Sequence, residues 1–156
     1  MSTEVSDWSD AELTQLFGVV SWFNLEKTDW GMLINPSLES AAVAASSRSH
    51  DLVKSSQFHN QVSTALSKIG VLHHNEKDIG GQLVDIAIDQ DSVVLEVDGP
   101  HHYCRNNRLI MLGNYRLKQR LLEAQGWRVV HIPFYEWNDV QGEQRAVYLE
   151  DKLKLP

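Results

Sequence analysis

Two carboxylates one residue apart, Glu96 and Asp98, end an otherwise apolar stretch and are followed by a Gly-Pro pair and two histidines. A third carboxylate, Asp85, lies in the apolar stretch before it. A divalent cation held between strand carboxylates suits phosphodiester hydrolysis, because it holds a phosphate oxygen and acidifies a water. His102 follows Asp98 by four residues, where it can act as a general base or contact phosphate. These three carboxylates predict a site for Mg²⁺ or Mn²⁺, with a hydrated strand face as the alternative.

Strand pairing is what brings the three carboxylates together. Two stretches alternate in the manner of β-strands and are joined by a polar turn, namely residues 83–88 and 93–98. A symmetric closure of the turn pairs Ile88 with Val93. The same register places Asp85 directly opposite Glu96. Because opposed like charges destabilise a sheet, we expect protonation, a metal ion or a cation such as Lys118 to neutralise the cluster.

The flanking sequence predicts helices on the faces of a mixed sheet. One helix is predicted to begin after Ser9, and four more are predicted at residues 38–46, 58–69, about 114–125 and 143–153. A further strand is predicted at residues 127–132. The strand at 93–98 and the strand at 127–132 are separated by the length of a βαβ crossover, so we expect them to be parallel. The predicted fold class is α/β, with a mixed sheet flanked by helices and a helical N-terminal segment at residues 1–50.

Charge along the chain is uneven. The net charge is −7, which argues against general electrostatic coating of nucleic acid. Residues 1–40 hold seven acidic side chains and one basic, whereas residues 104–131 hold six basic and one acidic. A basic segment on an acidic chain favours a specific site for a polyanion, and a solvated helix face is the alternative.

Length and composition limit the class of protein. The 156 residues suffice for one globular core with an appendage. The single cysteine, Cys104, excludes a disulfide framework and a cysteine-based zinc site, and it predicts a reducing compartment. No apolar run approaches the ~20 residues that span a bilayer, so no membrane partner is expected, and the acidic first residues hold no visible transit peptide.

Several ordered blocks of the sequence resemble one family. They are residues 84–88, 95–103, 118–130 and 132–137, followed by Tyr148-Leu149 and Lys152-Leu153. Together they look like a RAP domain, an RNA-binding domain abundant in apicomplexans, with the strongest match over residues 83–153 of a domain at 54–156. The resemblance implies a restriction-endonuclease-like fold, similar to very-short-patch-repair nucleases. It also implies a location in the mitochondrion or plastid, and a part in organellar RNA processing, stability or translation.

The resemblance also implies roles for individual residues. Asp85 matches the first-strand aspartate of the family, Glu96 and Asp98 match its second-strand acidic pair, and His102 matches the histidine after Gly-Pro. The related nucleases usually carry a lysine at the position that Asp98 occupies here. Lys118 can supply the missing cation if its helix faces the sheet edge. The implied catalytic set is therefore these five residues.

Three hypotheses follow from the residues and the resemblance. In the first, the chain binds RNA, with four arginines on phosphates and Tyr103 as a stacking surface; the arginines are Arg105, Arg108, Arg116 and Arg120. In the second, it is a metal-dependent endoribonuclease that uses Asp85, Glu96 and Asp98. In the third, it docks on ribosomal RNA in an organellar ribosome, a ribonucleoprotein assembly, without turnover.

Overall fold

The structure is a computed structural model that describes residues 5–26, 34–50, 56–105 and 107–154. Its helices are α1 (Asp10–Leu25), α2 (Pro36–His50), α3 (Gln57–Lys68), α4 (Gly113–Ala124), α5 (Phe134–Asp139) and α6 (Gln144–Leu153). Its strands are β1 (His74–Ile79), β2 (Gln82–Ile88), β3 (Val93–Asp98), β4 (Tyr103–Cys104), β5 (Asn107–Met111) and β6 (Arg128–Pro133). The chain divides into two units, residues 1–54 with 78–83, and residues 55–77 with 84–156.

Helix ends follow local sequence signals. Ser9 caps α1 through a capping box with Glu12, as its spacing predicts. Beyond the end of α4, Gly126 has φ +89°, a left-handed conformation that glycine adopts without the steric cost of a side chain. The chain can therefore leave α4 sharply and enter β6.

The first unit packs α1 against α2. Leu13, Phe17 and Val20 are buried on α1, which gives the helix an apolar stripe. Arg48 of α2 holds Asp10 at the start of α1 through two hydrogen bonds of 2.6 and 3.2 Å. This pair is exposed, so the free energy of packing comes mainly from the apolar stripe.

The four-stranded sheet has the order β1-β2-β3-β6. The antiparallel pair β2 and β3 has Ile88 opposite Val93, which confirms the predicted register of the hairpin. The pair β3 and β6 is parallel, as predicted. Three features were not predicted: strand β1, helix α5 and the small antiparallel sheet of β4 and β5.

One face of this sheet carries the core of the second unit. Val93, Leu95 and Val97 alternate along β3 and enter a cluster with apolar side chains of α3, α5, α6 and β6. Trp137 of α5 is 1% exposed, and its indole Nε1 donates to Gln61 Oε1 at 3.1 Å. Because this face is fully apolar, the polar residues of β3 must lie on the opposite face.

The α/β class with a mixed sheet flanked by helices is confirmed. The predicted domain limits, 1–50 and 54–156, stay a prediction. In the described ranges, no helix combines the length and the apolar character that crossing a membrane requires.

Leu149 and Val147 on α6 provide a matched test of the core. Leu149 is 0% exposed and Val147 is 66% exposed. We expect Leu149→Ala to lower the free energy of unfolding by about 2–5 kcal/mol, since it leaves a cavity, and Val147→Ala to change it by about 0.5 kcal/mol or less. Chemical denaturation measures both. Equal effects of the two substitutions would show that α6 does not pack as described.

Candidate functional site

Strand β3 sends its polar side chains to the face of the sheet that α4 covers. Glu96 and Asp98 alternate with the core residues, and every residue of β3 is buried. Buried carboxylates are costly unless they are paired or hydrogen-bonded. The partners of these two groups therefore define the site.

Asp98 is 0% exposed and accepts three hydrogen bonds. His102 Nδ1 donates to Oδ1 at 2.9 Å, and His131 Nδ1 donates to Oδ2 at 2.7 Å. The hydroxyl of Tyr103 donates to Oδ2 at 3.2 Å. Burial by itself raises the pKa of Asp98, but the hydrogen bonds and charges of the two histidines outweigh it and hold the pKa below its usual value. Asp98 is therefore an ionised carboxylate enclosed by donors.

His102 is held between two aromatic rings. Its imidazole stacks on Tyr115 of α4, with ring centroids 4.0 Å apart and planes 15° from parallel. His101 meets it edge-on at 4.4 Å. Since Nδ1 donates to Asp98, Nε2 is left as the second ring nitrogen, and no described residue forms a hydrogen bond with it. His102 thus has a fixed orientation and one nitrogen left for a ligand.

His131 joins the site from β6. No role in the site was predicted for it from the sequence, but the parallel register places it beside Glu96, and its ring reaches Asp98. Its Nε2 faces Gln119 Oε1 at 3.3 Å, and the amide nitrogen of Gln119 donates to Glu123 at 2.8 Å, which fixes the amide orientation. Both ring nitrogens of His131 therefore lie within hydrogen-bond distance of an oxygen atom. The one feature of the sequence that could have placed His131 near the acids is the predicted parallel pairing of β3 and β6.

Glu96 is neutralised by a lysine rather than by its strand neighbours. Lys118 Nζ of α4 lies 2.6 Å from Glu96 Oε2, with side chains 20% and 6% exposed. This is the position at which the sequence predicted a compensating cation. The second oxygen, Oε1, is buried and has no hydrogen-bond partner. Burial raises the pKa of Glu96 to about 7, and Asp85 and Asp98 add to the rise while Lys118 opposes it. Glu96 is therefore poised to exchange a proton near neutrality.

Asp85 has a structural contact that the hairpin model did not anticipate. Its Oδ2 accepts the backbone N–H of Val97 at 2.7 Å. The paired residues of β2 and β3 run from Ile88 to Ile86, and the Asp85 carboxylate binds the backbone of β3 just beyond them. The side chain is partly buried and close enough to Glu96 to influence it.

These carboxylates do not fit a metal ion in this arrangement. Asp98 receives donors on both oxygens, and Glu96 and Asp85 each have one oxygen engaged. Throughout the described part of the chain, no group of three or more His, Cys, Asp or Glu side chains is arranged to hold a metal. Glu96 Oε1 is the one buried carboxylate oxygen among the described residues without a partner. The amine of Lys118 and the imidazoles of His102 and His131 thus occupy the carboxylate oxygens that a metal ion would need as ligands.

The five predicted RNA-binding residues fall into three groups. Arg105, Arg116 and Arg120 are exposed. Tyr103 is 7% exposed, so its prediction as a stacking surface is wrong, because its ring packs under the aromatic residues of α5 and its hydroxyl binds Asp98. Arg108 belongs to β5, and its side chain lies outside the described residues.

Two of the six basic residues in the segment 104–131 point inward. Lys118 binds Glu96, and Arg128 donates from Nη2 to the carbonyl of Leu153 at 2.8 Å. The outward charge of the segment therefore comes from arginines on α4 and on the turn between β4 and β5.

Comparison with known proteins gives a family match for part of the chain. The family model of the RAP domain matches residues 95–152. The chain is similar to a "RAP domain-containing protein, chloroplastic" of Oryza sativa subsp. japonica, 33% identical over 88 residues, 56% of this chain and 14% of that protein. It is also similar to a "FAST kinase domain-containing protein 3, mitochondrial" of Bos taurus, 38% identical over 80 residues, 49% of this chain and 12% of that protein.

A solved structure is similar as well. The catalytic domain of the homing endonuclease I-Bth0305I has a TM-score of 0.48 and 17% identity, over 63% of this chain and 94% of that domain. The chain spans only about a seventh of the length of the curated rice protein, 14%.

The protonation of Glu96 can be measured directly. Its pKa lies near 7 rather than near its usual 4.5, so the folded state binds the proton more tightly than the unfolded chain does. The stability that this proton contributes is fully present below about pH 4.5 and is lost as pH rises through about 7. We expect a carboxyl carbon NMR titration of Glu96 to have its midpoint near pH 7.

Lys118→Met should move that midpoint higher, because it removes the cation that favours the carboxylate. Lys68→Met on α3 is the control, and it should leave the midpoint in place. A Glu96 midpoint near pH 4.5, or one that Lys118→Met does not move, would contradict the described site.

Proposed function

We propose that this chain, which carries a RAP domain at residues 95–152, binds single-stranded RNA through the outer face of α4 and the turn between β4 and β5. The observation that carries the proposal is the division of α4 into two faces. Lys118 lies on the inner face and binds the buried Glu96, and the side chains of Arg116 and Arg120 lie on the outer face and are exposed to solvent. Residues four apart on a helix share a face, so these two arginines can contact one strand.

The inner face of α4 fixes the position of the outer face. Tyr115 stacks on His102, Lys118 binds Glu96 and Gln119 meets His131. These contacts hold the helix against the sheet at three successive points. Arginines presented from a fixed helix lose less conformational freedom on binding phosphate than arginines on a loop. Arg105 adds a cation from the neighbouring hairpin turn.

The match to a RAP domain supports an RNA-related role. The names of the relatives include the words chloroplastic and mitochondrial, and we propose by this resemblance that the RNA is organellar. We further propose that the chain takes part in organellar RNA processing, stability or translation, as a member of a ribonucleoprotein assembly. Docking on ribosomal RNA without turnover is one form of this role, and saturable binding to a single rRNA segment would support it.

A metal-dependent endoribonuclease is the second candidate. Lys118 beside Glu96, with Asp85 close by, favours it, because these are the residue types that the resemblance predicts for catalysis. The hydrogen bonds that occupy the carboxylates oppose it, since metal binding would require them to exchange partners. RNA binding ranks first because it requires no such rearrangement.

The arginine face, which is the outer face of α4 with Arg116 and Arg120, should affect both the affinity for RNA and the salt dependence of that affinity. We expect the double substitution of Arg116 and Arg120 by alanine to weaken binding of an unstructured RNA about tenfold. It should also reduce the slope of log K against log salt by about 1.4, since each phosphate contact on a single strand contributes roughly 0.7. Fluorescence anisotropy at several salt concentrations measures both quantities. Lys68→Ala on α3 is the matched control and should change neither, and an unchanged affinity in the arginine variant would disprove this interface.

Cleavage is separable from binding. We expect the wild-type chain to bind labelled RNA equally with chelator or with Mn²⁺ and to leave the RNA intact. If the second candidate is right, Mn²⁺ produces cleavage instead, and Glu96→Gln abolishes that cleavage while RNA affinity is kept. Scoring bound and cut RNA in one gel assay distinguishes the two functions.

A further inference from the structure

A cavity of about 530 Å³ lies between the β4–β5 hairpin and α5. It is lined by Leu109, Phe134, Tyr135, Asn138 and Asp139. Its size falls within the ~300–1,000 Å³ that is usual for small-molecule sites. None of these five residues belongs to the site around Asp85, Glu96 and Asp98. The cavity is therefore a separate feature of the same unit.

Aromatic rings form the wall of the cavity. Phe134 and Tyr135 meet nearly at right angles, with centroids 5.5 Å apart and planes at 83°. Tyr103 packs behind both, with centroids at 6.4 and 6.0 Å, and its hydroxyl is anchored on Asp98. The wall is thus supported by a buried residue. A flat ring system can lie against such a wall at little cost in conformational freedom.

The opposite side is apolar and open to solvent. Leu109 of β5 lines this side and is 77% exposed. A flat ligand that covers this large apolar side chain removes it from water, which makes the free energy of binding more favourable. Arg105 is exposed on the turn of the same hairpin, where it can meet the phosphate of a nucleotide whose base enters the cavity.

Asn138 and Asp139 provide the polar groups at the rim. Both are exposed, and neither side chain has a hydrogen-bond partner among the described residues. A carboxylate offers two acceptors, and an amide offers a donor beside it. Guanine is the RNA base that carries two adjacent donors, N1–H and the N2 amino group, next to the acceptor O6. A carboxylate at this rim also repels phosphate, so it favours a base edge over the RNA backbone.

We propose that this cavity binds one unstacked guanine base of an RNA strand. Phe134 stacks on the base, and Tyr135, whose plane lies 83° from that of Phe134, meets the base at its edge. Asp139 accepts from N1–H and N2–H, and Asn138 donates to O6. This combination of aromatic stacking with readout of the base edge is how proteins generally recognise bases in single-stranded RNA. The inference rests on the proposed RNA binding, and it adds a preference for one base to it.

The test compares the base at one position of an otherwise uridine-only oligonucleotide. The full chain is titrated with RNAs that carry guanosine, inosine, adenosine or cytidine at that position. We expect guanosine to bind about five- to tenfold more tightly than adenosine or cytidine, with inosine between them because it lacks the N2 amino group. Asp139→Asn should abolish the preference, and Asp91→Asn at the β2–β3 turn, another exposed aspartate, should retain it.

Two further variants separate stacking from base readout. Leu109→Ser, at an exposed position, should weaken binding of all four RNAs by a similar factor and leave the preference in place. Phe134→Leu should weaken all four about fivefold or more, as expected for loss of a base–aromatic stack. Thermal unfolding of each variant identifies any loss caused by misfolding.

Guanosine monophosphate, titrated into the isotopically labelled chain, tests the cavity independently of RNA binding. We expect amide shifts at residues 134–139. RNA binding without base preference, and without these shifts, would overturn the guanine site while leaving the RNA-binding proposal in place. Shifts with guanosine monophosphate but no binding of any RNA would support the cavity and overturn the proposed function. The absence of both would overturn both.

Discussion

The buried carboxylate of Asp98 is the interaction on which the rest of the second unit depends. It is 0% exposed and is ionised, so it is tolerated only while its donors remain in place. Those donors come from three elements: His102 from the turn after β3, Tyr103 from β4 and His131 from β6. Removing one donor would leave a buried charge underpaired. The fold around the end of β3 is therefore fixed by the need to satisfy one carboxylate.

A second buried acid sets the position of α4. Glu96 reaches Lys118 at 2.6 Å, and Tyr115 and Gln119 on the same helix contact the two histidines that bind Asp98. The inner face of α4 thus neutralises and orders the acidic face of the sheet. Its outer face keeps Arg116 and Arg120 exposed. The clustered acids of β2 and β3 and the exposed arginines of α4 therefore lie on opposite sides of one helix.

Sequence periodicity predicted the elements that depend on local pattern. The register of β2 and β3 followed from alternation, because a shift of one residue would have turned every apolar side chain outward. Lys118 was identified as a cation near the acids, although its contact with Glu96 depends on the rotation of α4. The role of His131 was missed, since the register of a parallel pair is set by the length of a connection whose path the sequence does not define. Tyr103 was assigned to the surface because the β4–β5 hairpin, which buries it, has no strong turn signal.

The location of the RNA-binding surface is tested most directly by mapping it. Backbone amide shifts of the isotopically labelled chain, recorded with an unstructured RNA, report which residues the RNA contacts. We expect the largest shifts on the β4–β5 hairpin and on α4, with smaller shifts at His102 and β6 and none along α1 and α2. Shifts confined to α1 and α2, with α4 unchanged in the presence of bound RNA, would contradict the assignment of the arginine face as the RNA-binding surface.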